Sequence, residues 1–249
     1  MKTGIIIQAR MGSTRLPNKV LKKLAGKEVL WHVVERCQKS RMADAVIVAT
    51  STDVKDDVIY QFCLERGIEF FRGSENNVLD RFYQCAKKFN LDVIVRVTAD
   101  CPLVDPFIID QAIKLFLEKK EECDYVSNIF NRVFPRGLDC EVFSFSALEE
   151  AVKEAESGPE LENVTPYIIK NKRTLLYQVE DPYCGDFRLT LDVQEDFDVL
   201  NQIYDKFYKE GSIIDAKKAI KFLKDNPEVA RINSAIEQKS SAEKEAQKK

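Results

Sequence analysis

The chain of 249 residues contains a single histidine, His32, and none of its seven cysteines stands in a Cys-x-x-Cys pair. One histidine cannot build a His-based triad, and His32 falls inside a helical run, where a packed or surface ring is the plain reading. Cys37, Cys63, Cys85, Cys101, Cys123, Cys140 and Cys184 are odd in number and scattered, so they read as reduced thiols, mostly in the core. Cys101 is the one to watch because it follows Asp100, although a small buried residue at a strand end accounts for it better. No apolar run approaches the ~20 residues of a bilayer span, and Met1-Lys2-Thr3 leads straight into a strand without a signal-peptide pattern, so a cytoplasmic protein is expected. The formal charge of −3 gives no global field for nucleic acid or a membrane. Neither Gly-x-x-x-x-Gly-Lys-Ser/Thr nor Gly-x-Gly-x-x-Gly occurs, which removes the usual support for an ATPase or a dehydrogenase.

What is present begins at Ile5. Gly4 to Ala9 is a continuous apolar run followed by Gly, Ser, Pro and Asn, the pattern of a central parallel strand and the loop that leaves its carboxyl end. In open parallel sheets ligands bind outside those ends, so Arg10, Arg15 and Lys19 stand where a triphosphate would sit. No carboxylate between Met1 and Val20 neutralises them. Gly12 lets the backbone approach an anion, Ser13 and Thr14 add donors, and successive N–H groups can form an anion-binding nest.

Apolar periodicity predicts strands at 45–50, 68–71 and 92–98 alternating with helices at 29–39, 53–66, 76–89 and 105–119, hence a parallel sheet with right-handed crossovers. Beyond that the pattern is less regular: strands at 125–129, 139–143, 175–179 and 187–191, helices at 146–156 and 160–171. Residues 1–237 are expected to form one domain. From Gln238 to Lys249 the chain is Lys, Glu, Ala, Ser and Gln without an apolar face, a solvated charged tail. Asp100 follows the apolar strand 93–97 and Asp192 ends the expected strand 187–191, which puts both on the rim that bears the cationic loop. For Asp192, capping of a helix starting near Gln194 is an equal reading.

Gln-Ala-Arg-Met-Gly-Ser-Thr-Arg-Leu-Pro-Asn-Lys at 8–19 opens a series of five ordered motifs. The others are Phe71-Arg72-Gly73-Ser74-Glu75 with Val78-Leu79-Asp80-Arg81, Arg96 to Leu103, Pro135-Arg136-Gly137-Leu138-Asp139, and Leu189 to Asp192 before Glu195-Asp196. Over about residues 1–210 the series resembles the cytidylyltransferase family of the KDO and acylneuraminate enzymes, nearest its spore coat polysaccharide SpsF branch. The resemblance implies a three-layer, Rossmann-like α/β fold of the nucleotide-diphospho-sugar transferase type with a mostly parallel sheet. It implies CTP as donor, Mg²⁺ as cofactor held by Asp100 and Asp192, an acidic sugar or phosphorylated small molecule as acceptor, and a role in surface polysaccharide synthesis. It also implies a homodimer, with residues 124–180 forming the acceptor and dimerisation segment.

Under that resemblance Gln8, Ala9 and Thr98 join Arg10, Gly12, Ser13, Arg15, Lys19 and Asp100 around the nucleotide. Arg72, Gly73, Ser74, Asp80 and Arg81 shape its pocket, although a turn and a helix cap explain Ser74 and Asp80 as well. Arg136, Asp139 and Glu141 would face the acceptor, or form a plain strand-edge ion pair. Glu162-Asn163-Val164-Thr165-Pro166 departs from the branch's Glu-His-Val-Thr-Pro, a change in the acceptor half. Transfer of a nucleotidyl group needs charge neutralisation above all, which positioned cations and a metal held by one or two carboxylates supply. Two other classes stay open: a sugar-nucleotide-dependent glycosyltransferase, for which Asp196-Phe197-Asp198 has the spelling of a metal pair but falls in an expected helix, and a non-catalytic nucleotide-binding subunit.

Overall fold

The computed structural model describes residues 1–130, 132–156, 158–178 and 183–238. Nine strands are present among them: β1 Thr3–Gln8, β2 Lys23–Leu24, β3 Lys27–Glu28, β4 Ala45–Ser51, β5 Phe70–Gly73, β6 Val93–Thr98, β7 Tyr125–Ser127, β8 Glu141–Ser144 and β9 Thr174–Leu176. The helices are α1 Val29–Cys37, α2 Asp57–Glu65, α3 Val78–Lys88, α4 Pro106–Glu118, α5 Phe145–Glu154, α6 Gly158–Asn163, α7 Pro166–Asn171, α8 Gln194–Phe207, α9 Ala216–Asp225 and α10 Pro227–Arg231. Seven strands make one sheet in the order β5-β4-β1-β6-β8-β7-β9, and β2 pairs with β3 alone. The first four run parallel, whereas β8 is antiparallel to β6 and to β7.

The unbroken apolar run of β1 follows from its place in this order. Successive side chains of a strand point to opposite faces. Ile5 and Ile7 enter the core under α1, α2, α4, α8 and α9, while Ile6 enters a second core under α3, α5 and α7. With helices on both faces Thr3 to Ile7 are buried, and only Gln8 at the rim is half-buried, so no polar alternation is tolerated along the run. The result is the expected three-layer α/β arrangement. Among the described residues no helix is long and apolar enough to cross a membrane.

Two expected elements differ. The helix expected over 160–171 is two helices, because Val164 takes φ 67° and Pro166 opens α7. A left-handed β-branched residue ends any helix, and a proline, lacking an N–H, fits the first turn of the next one rather than a helix interior. The strand expected at 187–191 is an extended segment with a single bridge, Arg136 to Arg188. It is held by Arg136 N–H to Phe187 O at 2.9 Å, Leu189 N–H to Arg136 O at 2.7 Å, and Leu191 N–H to Asp100 O at 2.8 Å. Leu189 and Leu191 are fully buried, so the apolar pattern was real, but a turn rather than a strand lies beside them. Gly137, at φ 101°, permits that approach, since a Cβ there would lie 2.5 Å from the carbonyl of Leu189. The strand expected at 175–179 runs only over β9; Val179 lies outside the described residues. Gln238, the first residue of the expected tail, accepts a hydrogen bond from Arg188 at 3.0 Å, and residues 239–249 lie outside the described residues.

Candidate active site

The loop after β1 is held by its neighbours in the fold. The Ala9 N–H donates to Ala49 O at 3.1 Å, and the Met11 N–H donates to Asp56 Oδ1 at 2.7 Å. Asp56 is buried and takes the Ser51 hydroxyl on its other oxygen at 2.5 Å, so the end of β4 holds the start of the loop. Asn18, at φ 58°, turns the chain into a single 3-10 turn that presents Lys19. Asparagine tolerates that conformation better than most residues because its short polar side chain bonds locally.

Lys19 Nζ donates to Asp100 Oδ2 at 2.6 Å and to Asp192 Oδ1 at 2.9 Å. The register of β1 against β6 pairs Gln8 with Thr98, so the loop and Asp100 leave adjacent strands at the same rim. Asp192 comes from the other end of the fold through Leu191, whose N–H is bonded to the Asp100 carbonyl. Asp192 does not cap α8. Asp196 does that work, accepting from the N–H groups of Asp192 at 2.9 Å and Val193 at 3.2 Å. The Asp192 carboxylate is thereby left to Lys19, to Arg15 at 3.3 Å and to Arg188 at 3.5 Å.

Burial pushes the Asp100 carboxyl up, but the Lys19 ammonium, its hydrogen bond and the Thr98 hydroxyl outweigh it and hold the group at about 2. Asp192 is likewise lowered: burial and the charge of Asp100 oppose ionisation, and Lys19 with Arg15 overcomes them. Lys19 is raised in turn, since the two carboxylates overcome its own burial. The cluster is therefore fully ionised at neutral pH. Both carboxylates reach one ammonium, so oxygens of both face a common point, and an all-oxygen donor set is the kind that Mg²⁺ prefers. No group of three or more His, Cys, Asp or Glu with metal-binding geometry occurs among the described residues. A metal here would draw its other ligands from substrate and water.

These groups line a cleft of about 260 Å³ together with Gln8, Arg10, Gly12, Ser13, Thr14, Arg96, Thr98, Glu162 and Asn163. Arg10 faces Glu162 at 3.8 Å. Asn163 donates to Pro159 O at 2.9 Å, which secures the end of α6 at the cleft wall. Arg96 and Asp56 are the residues that sequence reasoning did not single out as site groups. Arg96 stood within a quoted motif, and a charged residue inside an otherwise apolar strand was its signal.

Other expected site residues lie elsewhere. Ala9 is buried backbone. Arg72 binds the carbonyls of Ser51 and Asp53 and the Asp57 carboxylate at 2.6 Å, tying β5 to α2. Ser74 accepts from Asn77 N–H, Asn77 caps α3 through Asp80 N–H, and Asp80 accepts from Gln84, so a turn and a cap account for their contacts. Gly73 packs against Arg81, whose guanidinium is buried, donates to Ser74 O at 2.6 Å, and is lowered to about 10 by burial and by Arg10. None of these lines the cleft. Nor do Arg136, whose backbone pairs with the 187–191 segment, or Asp139, paired with Arg132 at 2.7 Å. Glu141 sits behind the cleft, where it takes Arg96, the Tyr125 hydroxyl at 2.7 Å and the Thr165 hydroxyl at 2.7 Å.

Two remaining readings settle on geometry. His32 packs against Tyr204 and Tyr208, meets Leu24 O at 2.9 Å, and is held neutral by burial, away from the cleft. The Cys101 thiol is buried and pushed well above its usual range by burial and by the Asp100 and Asp139 charges, so it remains an inert thiol. Asp196 lies fully buried in α8, paired with Arg188 at 3.1 Å, and so cannot serve as half of a solvent-facing metal pair.

Residues 4–248 match the family described as Cytidylyltransferase. The spore coat polysaccharide biosynthesis protein SpsF of Bacillus subtilis is 35% identical over 90% of this chain and 95% of its own length. An uncharacterized protein of Methanocaldococcus jannaschii is 40% identical over 98% of this chain and 100% of its own. The structure of a cytidylyltransferase from Leptospira borgpetersenii superposes with a TM-score of 0.87 at 34% identity, covering 96% of this chain and 100% of that one. Because the matched stretch includes the strands, the loop and both carboxylates that make the cleft, the chain is a nucleotidyltransferase belonging to the cytidylyltransferase family.

Proposed function

We propose that this enzyme transfers the cytidylyl group of CTP to an acidic sugar or a phosphorylated small molecule, with Mg²⁺ and release of pyrophosphate, in the making of a surface polysaccharide. The observation that carries it is the Lys19 bridge between Asp100 and Asp192, set beside Arg10 and Arg15 at the strand rim. An oxygen of the acceptor, its proton passing to solvent where it is a hydroxyl, attacks the α-phosphorus of CTP, the bond from that phosphorus to the bridging oxygen breaks, and pyrophosphate departs with the electron pair. Arg10, Arg15 and Lys19 neutralise the charge that gathers on the phosphoryl and leaving oxygens, and the Gly12 N–H group with the Ser13 and Thr14 hydroxyls adds donors, the Ser13 N–H being taken by Met11 O at 2.7 Å. A carboxylate held at about 2 is a poor proton acceptor at neutral pH, so Asp100 is assigned to holding a cation rather than to base catalysis. Mg²⁺, when bound between Asp100 and Asp192, would polarise the phosphoryl oxygens and screen the leaving group.

The surface-polysaccharide context is supported by the name of the Bacillus relative. The same reading includes a homodimer formed through residues 124–180, which light scattering on the purified protein tests. For the reaction, thermal shift with CTP, UTP, GTP, ATP and sugar nucleotides, each with and without Mg²⁺, is the direct test. Ligand at ~100 times its dissociation constant stabilises by about 2.7 kcal/mol, or several degrees. A Mg²⁺-dependent response selective for CTP is expected. A larger response to a sugar nucleotide would overturn the reading in favour of glycosyl transfer, and silence from every nucleotide would favour a non-catalytic subunit.

A further inference from the structure

We propose that Arg96 anchors the anionic group of the acceptor, a carboxylate or a phosphate, on the β8 side of the cleft. This deepens the cytidylyl-transfer reading and rests on it for the identity of the second substrate. Arg96 and Thr98 share one face of β6, ~6.6 Å apart at ~3.3 Å per residue, and the turn that carries Asp100 follows at the rim. One small acceptor spans that stretch with its anion at Arg96 and its nucleophile at the rim.

The guanidinium lines the cleft while one of its terminal nitrogens pairs with the buried Glu141 behind it. Nε and Nη2 both donate to Gln8 Oε1, at 3.3 and 3.2 Å, and Nη1 donates to Glu141. Of the five N–H groups of an arginine, one on each terminal nitrogen is left uncommitted among the described residues and can donate to an anion in the cleft. Glu141 is saturated from behind by Tyr125 and Thr165 and is buried, so it fixes the fork rather than competing in the cleft. Thr165 follows the left-handed Val164 and the cleft residue Asn163, so the wall that departs from the branch pattern is tied to the same anchor.

The test is calorimetric titration of glucuronate, glucose 1-phosphate and glucose into wild-type protein and Arg96→Gln, each with and without α,β-methylene CTP and Mg²⁺. Wild-type protein is expected to bind glucuronate or glucose 1-phosphate but not glucose, and Arg96→Gln to weaken the bound anion about tenfold or more, with analogue affinity unchanged. Which of the two anions binds identifies carboxylate or phosphate. Equal anion affinity in the variant, glucose binding as tight as the anions, or no anion binding by wild-type protein would overturn the proposal. Absent analogue binding would instead break the CTP reading, while the nucleotide-free titrations still report on Arg96. Should Arg96→Gln fail to fold, the paired change Arg96→Gln with Glu141→Gln leaves no unpaired buried charge and is titrated in its place.

Discussion

Lys19 and Arg96 are two cations on one cleft, held in opposite ways. Lys19 takes its partners from inside the cleft, Asp100 and Asp192, whereas the carboxylate partner of Arg96 is Glu141, behind it. A lysine is a compact charge on a flexible stem, and an arginine is a planar fork whose geometry is set by what it already binds. Under the proposed reaction the first arrangement suits a counter-ion that moves when the nucleotide and Mg²⁺ arrive. The second suits a fixed post that orients a substrate. The rim is thus built to rearrange and the floor to stay.

The largest effect should fall on the rim. Asp100→Asn and Asp192→Asn are each expected to lower pyrophosphate release from CTP by at least about 10²-fold to 10³-fold with circular dichroism unchanged. A retained rate in either variant would end the metal assignment. Lys19→Met is expected to lower turnover about 10²-fold and to cost about 2 kcal/mol in urea unfolding, because two half-buried carboxylates lose their shared cation. Added Mg²⁺ should then raise the melting temperature of Lys19→Met more than that of wild-type protein; equal shifts would mean that the carboxylates do not hold the metal. Asp56→Ala, acting on the loop through Met11 N–H, should raise KM for CTP about tenfold with kcat little changed. A drop in kcat alone would place Asp56 in the chemistry instead.

The smallest effect is on acid stability. The folded Asp100 carboxyl, at about 2, lies below its ordinary unfolded value of about 3.9, so the unfolded chain binds the proton first. The stabilisation it contributes is present above about pH 4 and is lost as pH falls toward 2. Asp100→Asn should flatten that part of the unfolding profile, as followed by urea midpoints across the range. An unchanged profile would mean that Lys19 does not pair with Asp100 in solution.

Legibility in the sequence followed locality. The phosphate-type loop could be read because strand, turn residues and cations all lie within 5–19, and the rim position of Asp100 followed from the apolar strand just before it. Glu141 was read as facing the acceptor or as a strand-edge ion pair without its partner being named, and Arg96 passed unassigned, because their pairing crosses from β6 to β8, 45 positions apart. The segment 187–191 carries a strand pattern, yet burial alone set that pattern and the backbone found a turn at Gly137 to bond with. Val164 broke an expected helix where no glycine warned of it.

Periodicity and turn chemistry, which act over a few residues, therefore determined the parallel α/β core, the cationic loop and the candidacy of the two aspartates. Tertiary structure alone decided that Asp192 yields the cap to Asp196, that one ammonium joins carboxylates 92 positions apart, and that Glu141 stands behind Arg96. Those outcomes depend on charges brought together by sheet order and desolvated there, and neither distance nor burial is written in the local pattern of a chain.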